Sequence, residues 1–340
     1  MNSKKVKINV LFKYWIILSL TLVFLIIIVG GLTRLTDSGL SIIEWELIKG
    51  ILPPMSENSW SLYFEKYKTI PQYKLLNDNM TIEEFKVIFY WEYFHRILGR
   101  IIGLFFLIPL IFFYLTKKIN LEYLKNCFTI LILIILQGSV GWYMVKSGLV
   151  NDVTVSHYRL SIHLSIAIII ISMLFWLSIN VFSNENNKFI KFKIKFIPYQ
   201  FLLILIFFQI IIGAFVSGLD AGMIYQSWPL MGTSFFPDDI ILNNFSLIDF
   251  DNHSLVQFYH RTLAYIIFIY SLILGIKIYR DKIESMYLPL IIFISTLLIQ
   301  VILGIITLIS GINIYLASLH QITSVLLIFS ALNLYYLSPK

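Results

Sequence analysis

The chain of 340 residues contains a single cysteine, Cys127. One thiol cannot form a disulfide within the chain, and it cannot build a cage of thiolates around a metal ion. Disulfide-stabilised small domains and metal sites made of several cysteines are therefore excluded as classes of structure.

Charged residues are also scarce, at 13% of the chain against 58% hydrophobic residues, and the mean hydropathy is +0.82. Ordinary soluble domains have about 25% charged residues, whereas a helix that crosses a bilayer needs about 20 apolar residues. Long runs here lack Asp, Glu, Lys and Arg altogether. The sequence predicts an all-α membrane protein with eight transmembrane helices, in the runs 14–33, 101–116, 126–145, 160–184, 196–219, 262–276 and, divided at 310–313, 285–339.

Positive charges cluster in alternate connections between these runs. Because cytoplasmic loops collect Lys and Arg, both termini are predicted to be cytoplasmic, and the net charge of +7 reports membrane topology rather than nucleic-acid binding. The first run is too long for a cleaved signal peptide and no small-residue site follows it. With no transit-peptide pattern before it, a bacterial inner membrane is expected. The clusters are Lys4, Lys5, Lys7 and Lys13; Lys117, Lys118 and Lys125; Lys188, Lys191, Lys193 and Lys195; and Lys277, Arg280 and Lys282.

The second half of the sequence repeats the plan of the first. Four spans per half is an even number, so both halves enter the membrane from one side, as parallel repeats do. Two four-helix bundles are expected, one in residues 1–184 with an outer loop at 34–91, and one in 185–340 with an outer loop at 220–259. The repeated elements are a glycine-containing helix end (30–40 and 213–220), a His-Arg box, and a Gln-x-x-x-Gly helix (Gln137/Gly141 and Gln300/Gly304), whose glycines are interpreted as helix-packing residues.

Four histidines, His95, His163, His260 and His320, occupy matching places near the outer ends of predicted helices in the two halves. A lone histidine in a membrane helix is more often a hydrogen-bonded polar residue or a proton relay. Two repeated pairs instead favour two sites in which imidazoles are the axial ligands of haem-type iron. Two further histidines, His157 and His253, are predicted to lie in external loops, have no repeat partners and are interpreted as surface residues. The alternative for His157 is that it assists the first site.

Arg96 and Arg261 directly follow two of these histidines. A guanidinium grips a carboxylate with two parallel bonds, so both arginines are candidates for binding haem propionates. The alternative is that they reach the membrane interface with their charged ends. Arg34 and Arg100 are weaker candidates for the same role.

The two halves differ at one position beside the histidines. Glu92 lies three residues before His95, on the same helix face, and its counterpart before His260 is Gln257. A carboxyl group at one site and an amide at the other suggests that the first site does acid–base or electrostatic work while the second only holds a cofactor. The alternative is that Glu92 pairs with a neighbouring arginine.

Five motifs carry a resemblance to a known family: residues 30–41, Glu44-Trp45, 50–54, Glu92-Tyr93-Phe94-His95-Arg96 and Ser227-Trp228-Pro229-Leu230-Met231. Together with the four histidines, they resemble haem A synthase, the membrane enzyme that converts haem O to haem A for cytochrome oxidase. The resemblance covers nearly the whole chain. Some bacterial members of that family carry a pair of cysteines in the first outer loop, and this chain has none there. It therefore resembles the cysteine-free branch, the mitochondrial and alphaproteobacterial type.

The resemblance implies specific roles for the histidines. His260 and His320 would bind the iron of a resident haem b, while His95 and His163 would flank the iron of the substrate, haem O. Glu92 would be the prime catalytic residue in oxidising a ring methyl to a formyl group, with water as the oxygen source. A haem O synthase is an expected partner, and the sequence identifies no electron acceptor.

Two other classes of protein fit parts of the pattern. A di-haem electron carrier resembling cytochrome b would explain the four histidines but not the Glu92/Gln257 difference. A secondary transporter with parallel repeats would place its polar residues near the membrane midplane, whereas the predicted cluster lies at the outer ends of the helices.

Overall fold

The computed structural model describes residues 9–45, 49–151, 153–240, 246 and 249–339, and within them it is helical, with one isolated β-bridge. Among the described residues, eight helices are long and apolar enough to cross a membrane, which confirms the predicted all-α membrane class and the number of spans. The helices are α1 Val10–Leu35, α2 Glu57–Tyr67, α3 Pro71–Leu76, α4 Ile82–Thr116, α5 Leu121–Asn151, α6 His157–Ser183, α7 Ile197–Gly218, α8 His253–Arg280, α9 Tyr287–Ile309 and α10 Ile314–Tyr336.

Two helices begin well before their charge-free runs. α4 starts after Thr81, whose hydroxyl accepts from the backbone N–H of Glu84, while the Glu84 carboxylate accepts from the N–H of Thr81. This capping box satisfies two backbone donors of the first turn and fixes the helix start. The predicted outer loops were therefore too long at their C-terminal ends, because α4 begins at residue 82 and α8 at residue 253.

Contacts divide the chain into two compact units, Met1–Glu185 and Asn186–Lys340. In the first unit α1 packs against α4 and α6, and α5 packs against the same two helices. In the second unit α7 packs against α8 and α10, and so does α9. Each unit is thus a ring of four helices, in which α4 lies across from α6, and α8 across from α10.

The location of the termini relative to the membrane stays a prediction. Three residues of the N-terminal basic cluster, Lys4, Lys5 and Lys7, lie outside the described residues.

The connection between α1 and α4 folds around a hydrophobic cluster that it shares with the first turns of α4. Several of its aromatic rings contact one another edge to face, as Trp60 and Phe89 do at 5.0 Å, and burying each such ring removes about 150–250 Å² from water. The loop core, as we call this cluster, fixes the connection against the first turns of α4. It consists of Leu40, Ile42, Trp60, Phe64, Tyr67, Ile70, Phe85 and Phe89.

A buried hydroxyl ties the loop core to the end of α1. Tyr67 donates to Gln72 Oε1 at 3.0 Å and accepts from Asn77, and Gln72 donates to the carbonyl of Asp37. Burial raises the pKa of Tyr67 to about 12, so its hydroxyl stays protonated well above neutral pH. The connection is thereby held over one end of the first bundle.

Candidate functional site

The four singled-out histidines meet as two pairs, one inside each unit. His95 of α4 and His163 of α6 have ring centres 6.4 Å apart, with an angle of 60° between the ring planes. His260 of α8 and His320 of α10 have ring centres 6.5 Å apart at 77°. Because these helices lie across the ring from each other, the imidazoles face one another in the middle of each bundle.

Each imidazole lies against a glycine of an adjacent helix. A Cβ atom at any of these glycines would be 2.8–3.1 Å from the nearest ring atom, well inside the ordinary contact distance of about 3.5–4.0 Å. The interpretation of Gly141 and Gly304 as helix-packing residues was therefore incomplete, since all four glycines make room for the imidazoles. The glycine–histidine pairs are Gly30 with His95, Gly141 with His163, Gly213 with His260, and Gly304 with His320.

The spacing of each pair fits a single metal ion between two imidazoles. With metal–nitrogen bonds of about 2.0–2.1 Å, an ion midway lies about 3 Å from each ring centre, close to half of the observed separations. The Nδ1 atoms of His163 and His320 are buried and have no hydrogen-bond partner among the described residues. In the described part of the chain, no three His, Cys, Asp or Glu side chains cluster to hold an ion. Two protein ligands alone suit a metal whose other ligands come from a porphyrin.

Glu92 is buried, with 3% of its side chain exposed, and both of its carboxylate oxygens accept hydrogen bonds. Oε1 accepts from Nε and Nη2 of Arg96, at 3.0 and 2.6 Å. Oε2 accepts from the hydroxyl of Ser41 at 2.7 Å and from the backbone N–H of Ile42 at 2.8 Å. The connection between α1 and α4 thus delivers two donors to a carboxylate that is already paired with a guanidinium. The pairing with Arg96 that the sequence left open as an alternative is present.

Arg96 joins α4 to the connection that covers it. Besides Glu92, its Nη2 donates to the carbonyl of Ile42 at 2.8 Å and its Nη1 to that of Glu44 at 3.3 Å. The guanidinium also lies over the ring of Trp45, 5.0 Å from its centre. In this arrangement the side chain is used mainly to bind the loop.

The second unit has the same construction without the charge pair. Arg261 donates to the carbonyls of Tyr225 at 2.8 Å and Leu230 at 3.3 Å, and Gln257 donates to the Tyr225 carbonyl at 2.9 Å. Nε of Arg261 is buried without a hydrogen-bond partner among the described residues. That free N–H leaves this arginine able to bind a further acceptor.

Arg34 and Arg100, the weaker candidates for binding a haem propionate, each have a partner in the described part of the chain. Arg34 pairs with Asp37 at 2.8 Å, and Arg100 donates to the carbonyl of Gly50 at 3.3 Å. The two histidines predicted to lie in loops are instead the first residues of helices, His157 of α6 and His253 of α8.

Sequence reasoning missed two glutamine contacts with the histidines of the second unit. Nε2 of Gln209 lies 3.2 Å from Nδ1 of His260 and donates to the His260 carbonyl at 2.9 Å. Nε2 of Gln300 lies 3.4 Å from Nε2 of His320. The signal was available, because Gln209 stands four residues before Gly213, as Gln300 stands before Gly304.

Comparison with known proteins shows which family the chain belongs to. Residues 13–332 match the model of the cytochrome oxidase assembly protein family. The chain is 49% identical over 322 residues to a Heme A synthase of Pelagibacter ubique, covering 94% of each chain. The chain belongs to the haem A synthase family. Other family members of that name are 41% identical in Rickettsia felis, covering 92% of this chain and 94% of the relative, and 40% identical in Nitrosospira multiformis, covering 94% and 90%.

Proposed function

We propose that this protein converts haem O into haem A for cytochrome oxidase in the first unit, while the second unit holds a resident haem b. Membership of the haem A synthase family supports the conversion. We assign different tasks to the two units because of one observation. The first unit has the buried ion pair Glu92–Arg96 on the helix that carries His95, and the second unit has the neutral Gln257 at the position that corresponds to Glu92.

The reaction oxidises a ring methyl of haem O to a formyl group, through an alcohol and a hydrated aldehyde, with water supplying the oxygen. Each oxidation removes an electron pair from the carbon and releases protons. Resident haem b supplies a path by which electrons leave the site. The acceptor beyond it lies outside this chain, and a haem O synthase is the class of enzyme that supplies the substrate.

The chain's own residues have separate tasks. His95 and His163 hold the substrate iron, and His260 and His320 hold the iron of haem b; the paired spacings of 6.4 and 6.5 Å support both assignments. Of the two arginines proposed to bind a haem propionate, Arg261 is the better candidate, because its Nε has no hydrogen-bond partner among the described residues. Arg96 is the weaker one, because the loop carbonyls and Glu92 already occupy it.

Glu92 stabilises positive charge that develops on the methyl carbon as electrons are removed. Both of its oxygens accept hydrogen bonds, so taking up a proton requires one of these bonds to break. The contacts therefore favour an electrostatic role over proton transfer, and they fix the position of the carboxylate on α4.

The test of this function is a pigment analysis of cells. A host that makes haem O but lacks its own haem A synthase should gain haem A when this chain is expressed. Haem O that persists without any haem A would contradict the proposal and favour a di-haem electron carrier.

We expect the histidine pairs to lie toward the outer face of a bacterial inner membrane, with both termini in the cytoplasm. A reporter that is active only in the periplasm should work when inserted at Asn58, an exposed residue of α2, and should be silent at the C-terminus. The opposite pattern would overturn the predicted topology.

Gly141→Ala should expel haem O from the first unit. Its Cβ would lie 2.8 Å from Cε1 of His163, so the imidazole has to move away from the site. Gly138→Ala, one turn earlier on α5, is the matched control, because a Cβ there meets nothing within 4 Å. Haem extraction from both purified variants should show haem O and haem A lost only from Gly141→Ala. Equal contents would show that the glycine does not position His163.

A further inference from the structure

The two units differ in what meets the amide oxygen of the Gln-x-x-x-Gly helix. In the second unit, Oε1 of Gln300 on α9 accepts a hydrogen bond from the hydroxyl of Thr323 on α10. In the first unit, Oε1 of Gln137 on α5 is buried and has no hydrogen-bond partner among the described residues. The residue that corresponds to Thr323, three positions after the second histidine, is Ile166. Its side chain has no donor, so the glutamine is shared between the units and its partner is not.

Gln137 lies beside the histidine pair of the first unit. It stands four residues before Gly141, so the two share one face of α5, and a Cβ at Gly141 would be 2.8 Å from Cε1 of His163. In the second unit the corresponding Gln300 reaches its histidine pair, with Nε2 3.4 Å from Nε2 of His320. The amide of Gln137 is therefore placed at the edge of the proposed substrate site.

Gln137 and Glu92 lie on opposite sides of the level at which the imidazoles meet. The helices α4 and α5 are joined by the four residues 117–120, and helices joined by so short a loop run antiparallel. Glu92 precedes His95 on α4, toward the loop core. Gln137 precedes Gly141 on α5 by about 6 Å along the axis, which is toward the turn between the two helices. The charged group and the amide therefore face different parts of a bound haem.

Haem O and haem b differ in one side chain. Where haem b has a vinyl group, haem O has a hydroxyl-bearing carbon that carries its farnesyl tail, on the half of the porphyrin away from the propionates. Ionised propionates only accept hydrogen bonds. The hydroxyl is therefore the one O–H donor that haem O offers to a buried amide oxygen, and haem b offers none.

We propose that Gln137 selects haem O for the first unit by accepting a hydrogen bond from this hydroxyl. Haem b in the same place would leave Oε1 of Gln137 buried without a donor. In the second unit Thr323 already donates to the equivalent oxygen, so a haem without a hydroxyl leaves no acceptor unsatisfied there. This inference rests on the proposed function, since it takes the two histidine pairs to be haem sites.

The selectivity comes from the cost of a buried acceptor that loses water and gains no donor. This cost is larger than the net gain from an ordinary hydrogen bond. A site built to hydrogen-bond a substrate hydroxyl therefore rejects analogues that lack it. For one neutral amide oxygen we expect a discrimination of about tenfold.

The experiment is a competition between haem O and its O-methyl ether, which keeps the ring and the tail but cannot donate a hydrogen bond. Equal amounts of both are offered anaerobically, without an electron acceptor, to the purified, detergent-solubilised protein that carries haem b. The protein is separated from free pigment, and chromatography of the extracted haems gives the ratio bound. Wild-type protein should hold about tenfold more haem O than ether.

Gln137→Leu should bind the two pigments equally, because leucine is of similar size and has no acceptor. Ile166→Thr, which copies Thr323, should give Oε1 of Gln137 an internal donor and reduce the preference in the same way. Ser139→Ala is the matched control on α5, since the Ser139 hydroxyl donates to the carbonyl of Ile135 in its own helix. It should keep the wild-type ratio. Equal haem b in the same extracts of all four proteins shows that the second unit stays folded.

A preference for haem O that persists in Gln137→Leu would overturn the inference, because it would then come from the bulk of the added methyl group. Equal binding of the two pigments by the wild-type protein would overturn it as well. Both results leave the proposed function standing, since haem O is still bound. Wild-type protein that binds neither pigment beside its haem b would instead overturn the proposed function.

Discussion

Glu92→Gln should abolish haem A formation while leaving haem b in place. The substitution gives the first unit the amide that the second unit has at Gln257, and it removes the negative charge that we propose acts on the substrate. Loss of one preorganised group that stabilises developing charge typically slows a reaction about 10²–10³-fold. Purified Glu92→Gln should therefore contain haem b together with haem O, or its partly oxidised alcohol, and little haem A. Chromatography of extracted haems measures all of these pigments.

The substitution also leaves Arg96 buried without its anion, and breaking a buried ion pair costs about 3–5 kcal/mol. The double variant Glu92→Gln/Arg96→Gln removes both charges and therefore tests whether the unpaired guanidinium, rather than the missing carboxylate, causes the loss of activity. If Glu92 acts on the substrate, the double variant should keep haem b and still be inactive. Near-normal haem A production in either variant would show that Glu92 serves only to hold Arg96 and the loop.

His320→Ala should remove or alter the resident haem. Haem iron with two imidazole ligands gives a low-spin spectrum, and losing one ligand leaves a five-coordinate, high-spin iron or no haem at all. The low-spin haem b signal of the purified protein should disappear, and the same result is expected for His260→Ala.

The matched variant is His163→Ala, which removes the equivalent imidazole of the first unit. It should keep the low-spin haem b spectrum and lose bound haem O and haem A. An unchanged haem b spectrum in both His260→Ala and His320→Ala would contradict the assignment of the resident haem to the second unit.

The membrane class, the eight spans and the histidine pairing could be predicted because each leaves a periodic or repeated mark in the sequence. Apolar runs report spans directly, and a box such as His95-Arg96 repeated at His260-Arg261 reports equivalent places. The start of α4 could not be read from such runs. Its first turns carry Glu83, Glu84 and Lys86 and are stabilised by a capping box and by the loop core.

Only one of the hydrogen-bond partners of Glu92 could be predicted from the sequence. Arg96 lies one helical turn away, so an ion pair was foreseeable. Ser41 and Ile42 reach the carboxylate only because the connection between α1 and α4 folds against α4. The role of the glycines could not be predicted for a similar reason. A glycine in a membrane helix indicates that another group approaches closely, but the sequence does not identify that group. Here the approaching group is an imidazole, four times over.

The most direct test of the division between the two units is a time course of the haems bound to purified wild-type protein. The protein is loaded once with haem O in the presence of an electron acceptor, and the pigments are extracted at intervals. Haem A should rise one for one as haem O falls, and haem b should stay constant. A fall in haem b that matches the rise in haem A, or haem O that stays unchanged while haem b is present, would contradict the account.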